Sequence, residues 1–307
     1  MKISVYAICK NEESFIEDMI KSCHGIDEIV ICDTGSSDRT IDIIKQYNVK
    51  LININVSPWR FDDARNIALS QTSGDICISL DADERIETGL IDDIRNQIVI
   101  KPGLLITHSF KTIWDWQKDN KNVSHHLHNR IHSRYGFRWI NCVHEELVGA
   151  TEIQYLNSEY SIIQKPDLTK TRSYRILLEQ AVKETPNKWK LWFFLVQEYY
   201  NIGDNNKTIE CFKRSQLCDN ADSIYIDNVL YQLGLLENAE IILMHNCLKQ
   251  NTRENWYYYA IECRKQGKLN EERYALKQCL QHSKPIFDYR YNPDAWNDIE
   301  SRLSEII

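Results

Sequence analysis

The residues best suited to chemistry are the acids of Asp81-Ala82-Asp83-Glu84, which follow directly on the run Ile76-Cys77-Ile78-Ser79-Leu80. A run that short and that apolar reads as a buried parallel strand. In an extended chain, residues two apart point the same way, so Asp81 and Asp83 can converge on one target. Paired carboxylates at a strand end suit a hard divalent cation such as Mg²⁺ or Mn²⁺, which in turn holds phosphate oxygens. The same triplet can also be nothing more than a solvated acidic turn. The elements around it decide between the two.

The chain opens with an apolar strand, Ile3 to Cys9, followed by Lys10-Asn11-Glu12-Glu13 and a helix with Phe15, Ile16, Met19 and Ile20 on one face. A second strand, Glu28 to Cys32, runs into Asp33-Thr34-Gly35-Ser36-Ser37-Asp38-Arg39-Thr40. There Gly35 permits a sharp turn, and Ser36 or Ser37 can cap the helix carrying Ile41, Ile43 and Ile44. A third strand, Val49 to Val56, precedes Arg60-Phe61-Asp62-Asp63-Ala64-Arg65-Asn66 and a helix through Ile67, Ala68 and Leu69. The Ile76 strand is then the fourth of a strand-helix series, which predicts a mostly parallel sheet with helices on both faces. Such sheets bind ligands at the carboxyl ends of their strands. Cys9, Lys10, Asp33, Asp81 and Asp83 all fall on that rim, which makes it a site.

No Gly-x-Gly-x-x-Gly follows the first strand, and no Gly-Lys-Ser/Thr loop occurs, so dinucleotide and P-loop readings fail. Carboxylates, one arginine and a cation can hold a nucleoside diphosphate. Asp33 would accept from base or ribose, and Arg65 with the cation would neutralise phosphates. Arg65 can equally be a surface ion pair with Asp62 or Asp63.

At this point the chain resembles the family 2 glycosyltransferases of the GT-A fold. The resemblance rests on Ser4 to Glu13, the Asp33-to-Thr40 turn, Ala64-Arg65-Asn66 and the Asp81-Ala82-Asp83 triplet, in that order and spacing. It implies an α/β catalytic domain, Rossmann-like with a mostly parallel sheet, over residues 1–150. It also implies inverting transfer of a sugar from a nucleotide donor, most often a UDP-sugar, with Mn²⁺ or Mg²⁺. By the same resemblance Asp33 contacts the base, Arg65 the nucleotide, Asp81 the ribose or sugar, and Asp83 the metal. Cys9, Glu13 and Ala82 complete the set expected at the nucleotide-sugar.

Residues 103–149 read as the acceptor half. Five of the nine histidines fall between positions 125 and 144, at 125, 126, 128, 132 and 144. The alternation from Val123 to His132 fits an exposed strand better than a zinc site, since no second ligand cluster has structural-site spacing. In similar glycosyltransferases with helical repeats, a Trp followed by Val-His-Glu sits beside the donor, and here that element is Trp139 with Val143-His144-Glu145. Inversion needs a base that deprotonates the acceptor opposite the leaving diphosphate. Glu145 is the candidate, with Glu146 beside it, and His144 is a further metal ligand or a group near the diphosphate. The two glutamates can instead merely orient His144. The commoner family pattern has an Asp as the base. The Gln-x-x-Arg-Trp motif of processive members is missing, with Tyr135 in the Gln position, so transfer of one sugar or a few is expected.

Residues 151–170 read as a linker or a packing strand, and 171–307 as an all-α helical-repeat domain. Trp192, Leu195, Tyr199, Gly203 and Phe212 match the tetratricopeptide spacing, with a weaker copy at Trp256, Ala260, Gly267 and Leu276 and a helix pair around Gly234 between them. Trp189, Trp192, Phe193, Tyr200 and Tyr257 to Tyr259 are expected as packing between helices. A last helix with Trp296, Ile299 and Leu303 would cap the stack. So few repeats are expected to lean on the catalytic domain or on a second copy, as a homodimer.

With 307 residues and 43% hydrophobic content, the chain has ample material for two cores. No apolar run approaches the roughly eighteen residues of a membrane span, and the opening lacks a signal-peptide pattern. Ten scattered cysteines without a Cys-x-x-Cys pair suit a reducing compartment, so a cytoplasmic protein is expected. A net charge of −7 gives no pull toward nucleic acid, although a modified base stays open as an acceptor. Bacterial enzymes that glycosylate peptides share the two-part layout, so the expected acceptor is a peptide or protein, with saccharide and lipid-linked acceptors alternative. A competing reading is an inactive scaffold that binds partners through its repeats. A sugar-nucleotide nucleotidyltransferase would need an arginine-containing, Gly-rich loop where Lys10-Asn11-Glu12-Glu13 stands.

Overall fold

A computed structural model describes residues 1–114, 123–170 and 173–282, together with Ile299 and Arg302. The chain divides into two compact units, Met1–Ala181 and Val182–Ile307.

The first unit is built on a nine-stranded mixed sheet. Its parallel half holds β1 (Ile3–Cys9), β2 (Glu28–Asp33), β3 (Lys50–Asn53) and β4 (Ile76–Leu80), in the order β3-β2-β1-β4. β1 and β4 are buried almost throughout, as expected of strands covered on both faces. The connecting helices are α1 (Ile16–Ser22), α2 (Thr40–Ile44) and α3 (Phe61–Ser70). Beyond β4 come the short β5 (Glu84–Ile86) and α4 (Leu90–Gln97), and then a long antiparallel pair, β6 (Leu104–Ile113) and β7 (Val123–Ser133). β7 joins the sheet beside β4, with Ile76 opposite Ser133 and Ile78 opposite Ile131. β7 alternates between exposed and half-buried residues as the sequence pattern predicts, and becomes buried only from Ile131. A separate ribbon, β8 (Arg138–Ile140) with β9 (Glu146–Val148), packs on α3.

Of the linker and the packing strand read for 151–170, the strand holds: the stretch supplies β10 (Glu152–Tyr155) and β11 (Ile162–Gln164), both parallel to β6, so it extends the sheet. Strands of three or four residues are too short to show a period in sequence. Neither Ser36 nor Ser37 caps α2, which starts only at Thr40 with Arg39 at its N-cap. Ser36 is engaged elsewhere: its hydroxyl donates to Asp33 Oδ1 at 2.5 Å and accepts from the Asn11 amide at 2.9 Å.

Among the described residues the second unit holds three helix pairs: α6 (Trp189–Asn201) with α7 (Asn205–Gln216), α8 (Ser223–Gln232) with α9 (Ala239–Lys249), and α10 (Arg253–Lys265) with α11 (Leu269–Cys279). α5 (Arg175–Glu184) runs across the boundary between the units. Gly203, Gly234 and Gly267 take positive φ at the three turns. Phe193 and Tyr257 to Tyr259 are buried as expected, but Tyr200 is 40% exposed and its neighbour Tyr199 faces the core instead. Of the expected final helix, Trp296 and Leu303 lie outside the described residues, and Ile299 is buried. All ten cysteines are free thiols. Among the described residues, no helix is long and apolar enough to cross a membrane.

Candidate active site

The loops after β1 and β2 are zipped together before any ligand is considered. The Asn11 amide donates to Ser36 Oγ, the Ser37 amide to Asn11 Oδ1 at 2.7 Å, and the Arg39 amide to Glu13 Oε2 at 3.0 Å. Asn11 takes a left-handed φ of 56°, which its short polar side chain tolerates. Asp33 is 1% exposed, and its carboxylate is spent on its own turn: Oδ2 accepts from the Gly35 and Ser36 amides at 2.9 and 3.0 Å. The Cys9 thiol points at Asp33 Oδ1 from 3.7 Å, and burial followed by that negative charge pushes the thiol pKa up. Cys9, Glu13 and Asp33 are therefore brought together as the frame of the rim.

The charged centre lies where β4 ends. Arg65, from α3, is 5% exposed and meets neither Asp62 nor Asp63, which pair with Arg60. Its Nη2 donates to Asp81 Oδ1 at 2.7 Å, its Nε to Glu145 Oε1 at 2.5 Å, and its Nη1 to Ser79 Oγ at 3.2 Å. One planar fork thus ties the strand end to a loop far away in sequence, a geometry that lysine could not supply. The guanidinium also lies 5.1 Å from the centroid of the Trp139 ring. Trp139 is 6% exposed, so it packs beneath the arginine.

Local folding explains the placement. Ala64, fully buried, lets α3 approach the sheet. Asn66 clasps the Trp139 backbone, donating to its carbonyl at 2.9 Å and accepting from its amide at 2.8 Å. The Phe61 amide donates to the Cys142 carbonyl at 3.0 Å, holding the 141–145 loop on the start of α3. Within that loop Asn141 and His144 adopt positive φ, 74° and 48°, turning the chain sharply just before Glu145.

Arg130 on β7 is a second cation here that sequence reading missed. Its Nη2 donates to Asp81 Oδ2 at 3.2 Å and lies 3.3 Å from Glu84 Oε1. The strand period could have shown it, because His126, His128 and Arg130 share one face of β7. Burial would raise the Asp81 carboxyl, but Arg65 and Arg130 outweigh it and hold the group well below the usual carboxylate range. Glu84 is fully buried, accepts from the Asp81 amide at 2.9 Å, and is pushed up by burial despite Arg130.

Asp83 is different. Its Oδ2 accepts from Gln164 Nε2 at 3.2 Å, and no cationic side chain among the described residues pairs with it. Burial, and then the charge of Asp81, push its pKa up to about 6. Two guanidiniums thus offset Asp81 and Glu145 and leave Asp83 with a charge still to be balanced. A half-buried carboxylate in that state fits a hard divalent cation. His144 is exposed and stands edge-on to Tyr174 at 6.1 Å between ring centroids. Among the described residues, no three His, Cys, Asp or Glu side chains are gathered into a cation site, so Asp83 and His144 do not form one by themselves. Ala82 is 5% exposed and contributes its carbonyl to Arg85 Nη1 at 2.7 Å.

Residues 4–146 match the family model described as "Glycosyl transferase family 2". The lipopolysaccharide core biosynthesis glycosyltransferase LpsC of Rhizobium meliloti is 36% identical over 93 residues, which cover 29% of this chain and 34% of that protein. The match therefore takes in about a third of that relative's length. A TPR repeat-containing protein of Synechococcus elongatus is 23% identical over 295 residues, covering 88% of this chain and 63% of that one. A crystal structure of S. aureus TarS residues 1–349 in complex with UDP-GlcNAc aligns with a TM-score of 0.43 at 15% identity, covering 87% of this chain and 93% of that chain.

Proposed function

We propose, for a chain whose residues 4–146 are a glycosyl transferase family 2 domain, that the protein transfers a single sugar from a nucleotide donor to an acceptor nucleophile with inversion. The observation that carries this reading is the Arg65 fork, which sets Asp81 and Glu145 at fixed positions on one buried guanidinium.

In this reading the donor, a UDP-sugar, lies along the rim between the β1 and β2 loops and Asp83. Glu145 Oε1 is held by Arg65, while Oε2 has no protein hydrogen bond among the described residues and is the atom that takes the acceptor proton. The nucleophile then bonds to the anomeric carbon as the carbon–oxygen bond to the diphosphate breaks on the opposite face. The electron pair leaves with the diphosphate. Asp81, kept ionised by two guanidiniums, faces the sugar or ribose hydroxyls as a hydrogen-bond acceptor. Asp83 is the residue that would hold Mn²⁺ or Mg²⁺, with His144 as a further ligand. When bound, the cation supplies positive charge to the leaving diphosphate. Arg65 acts by orienting the two carboxylates, with three of its five N–H donors directed at Glu145, Ser79 and Asp81.

A peptide or protein is the proposed acceptor, with the helix pairs α6 to α11 selecting it. The test is nucleotide release from a panel of UDP-, GDP-, TDP- and CMP-sugars, with and without Mn²⁺. Release from one donor that depends on Mn²⁺ and is lost in Asp83→Asn supports the reading. Neither binding nor release of any nucleotide across the panel would sink it.

A further inference from the structure

Behind the Arg65 fork runs a chain of contacts that the proposed reaction does not touch. The Trp139 indole, which lies beneath the guanidinium, donates from Nε1 to the Tyr6 hydroxyl at 2.9 Å. Tyr6 is fully buried, and its hydroxyl also lies 2.9 Å from His132 Nε2. The direction of every bond follows from the partners. His132 Nδ1 stands 2.8 Å from the Ser133 carbonyl, which can only accept, so Nδ1 carries the proton and Nε2 accepts. Tyr6 therefore donates to His132 and receives from Trp139, and none of the three groups is left over. Tyr6 reaches Arg65 by a second route as well: it is the ladder partner of Ser79 across β1 and β4, and Ser79 Oγ accepts from Arg65 Nη1.

We propose that Tyr6 is a positioning residue for sugar transfer, its hydroxyl locking the Trp139 indole and, through it, the Arg65 guanidinium that sets Asp81 and Glu145. The proposal rests on the glycosyltransferase reading above for its kinetic consequence, but the lock itself is a matter of geometry. The guanidinium is held by its three hydrogen bonds and by the ring beneath it, so a ring that is free to shift loosens the aim of the fork. Trp139 is held at its backbone by Asn66, and among the described residues the hydrogen bond at the far edge of its indole is the one to Tyr6. Loss of the hydroxyl frees that edge and leaves the Glu145 carboxylate less well aimed, and misplacement on the scale of an ångström is costly to a proton transfer.

Tyr6→Phe keeps the ring and removes the lock. The expected result is a fall in kcat of about tenfold or more with donor Kd within about twofold, since the Tyr6 hydroxyl is fully buried between Trp139 and His132. Trp139→Phe, which keeps a ring under Arg65 and deletes the N–H, is expected to lose a similar factor. The double variant is expected to be no worse than either single one, because both break the same bond. His132→Gln, which retains an acceptor for the Tyr6 hydroxyl, is expected to lose less than about threefold. Unchanged kcat in Tyr6→Phe with only a lowered melting temperature, or losses that multiply in the double variant, would overturn the proposal. A wild-type protein that turns over no donor defeats the glycosyltransferase reading instead. The lock is then read directly from the Arg65 Nε–H resonance, identified by its loss in Arg65→Lys. Slow hydrogen exchange in the wild type that becomes fast in Tyr6→Phe supports the lock, and equal exchange in both overturns it.

Discussion

Arg65 Nε lies 2.5 Å from Glu145 Oε1, joining residues that are 80 positions apart in the chain. The same side chain holds Asp81 at 2.7 Å, so one cation balances two carboxylates in a largely buried setting. Removing it leaves both acids without their shared partner. Arg65→Met is expected to destabilise the fold by on the order of 2–3 kcal/mol, less than the full cost of an orphaned buried pair because Asp81 is partly exposed and Arg130 still reaches it. Arg65→Lys keeps the charge but cannot fork, and is expected to retain most of the stability while losing about 10²-fold in turnover. Urea midpoints and nucleotide release from the same preparations check both. Full activity in the lysine variant would show that point charge, rather than geometry, is what the site requires.

The base assignment makes a sharper demand. Glu145→Gln keeps the shape and one acceptor oxygen but removes the ability to take a proton. Transfer is expected to fall by about 10²–10⁴-fold with donor Kd nearly unchanged, since a base acts in the transition state. Isothermal titration of the donor beside a transfer assay separates the two quantities. Donor affinity falling as steeply as rate would move Glu145 from proton transfer to binding.

Asp83 lacks a counter-cation among the described residues, and that deficit suggests a dependence on added metal. UDP is expected to bind the wild type at least about tenfold more tightly with Mn²⁺ than with chelator, and Asp83→Asn is expected to lose that difference while folding normally. Equal affinity with and without metal in the wild type would remove the cation from the reading and leave Asp83 a simple hydrogen-bond acceptor.

Much of this arrangement could be read from the chain. The Ile76–Leu80 run followed by acids, the Asp33 turn and the Ala64-Arg65-Asn66 element each announce a strand end or helix start, because their signals are local. What could not be read is which groups face one another. Arg65 was expected at the nucleotide or on Asp62 and Asp63, yet its partners lie on β4 and in the 144–145 loop. Arg130 reaches Asp81 only because β7 runs antiparallel beside β4, a pairing that no local pattern encodes. Asp33 was expected to meet a base, and its Oδ2 also accepts from the Gly35 and Ser36 amides of its own turn, a common second use of a short carboxylate that no local pattern announces. Trp139 was expected beside the donor, and the neighbours that only the fold reveals are Arg65 over its ring and the Tyr6 hydroxyl at its N–H. β10 and β11 were hidden because three or four residues are too few to show alternation.

The histidine at the end of the buried chain yields a prediction about pH. Burial lowers the His132 pKa from its ordinary 6.5 to about 4 in the folded protein. Between those values the unfolded chain binds a proton that the folded one refuses, so stability rises with pH there and is lost as pH falls from about 6.5 toward 4. Below about 4 both states are protonated and the loss levels off. Glu84 works in the opposite sense, since burial raises its carboxyl, and the raw stability curve mixes the two. The difference between the wild type and His132→Gln isolates the histidine. On going from about pH 7 to pH 5, the wild type is expected to lose about 1–2 kcal/mol more than the glutamine variant, measured by chemical unfolding at each pH. Parallel curves for the two proteins would mean that His132 is not held neutral, and with it would go the bond direction that has Tyr6 donating to Nε2.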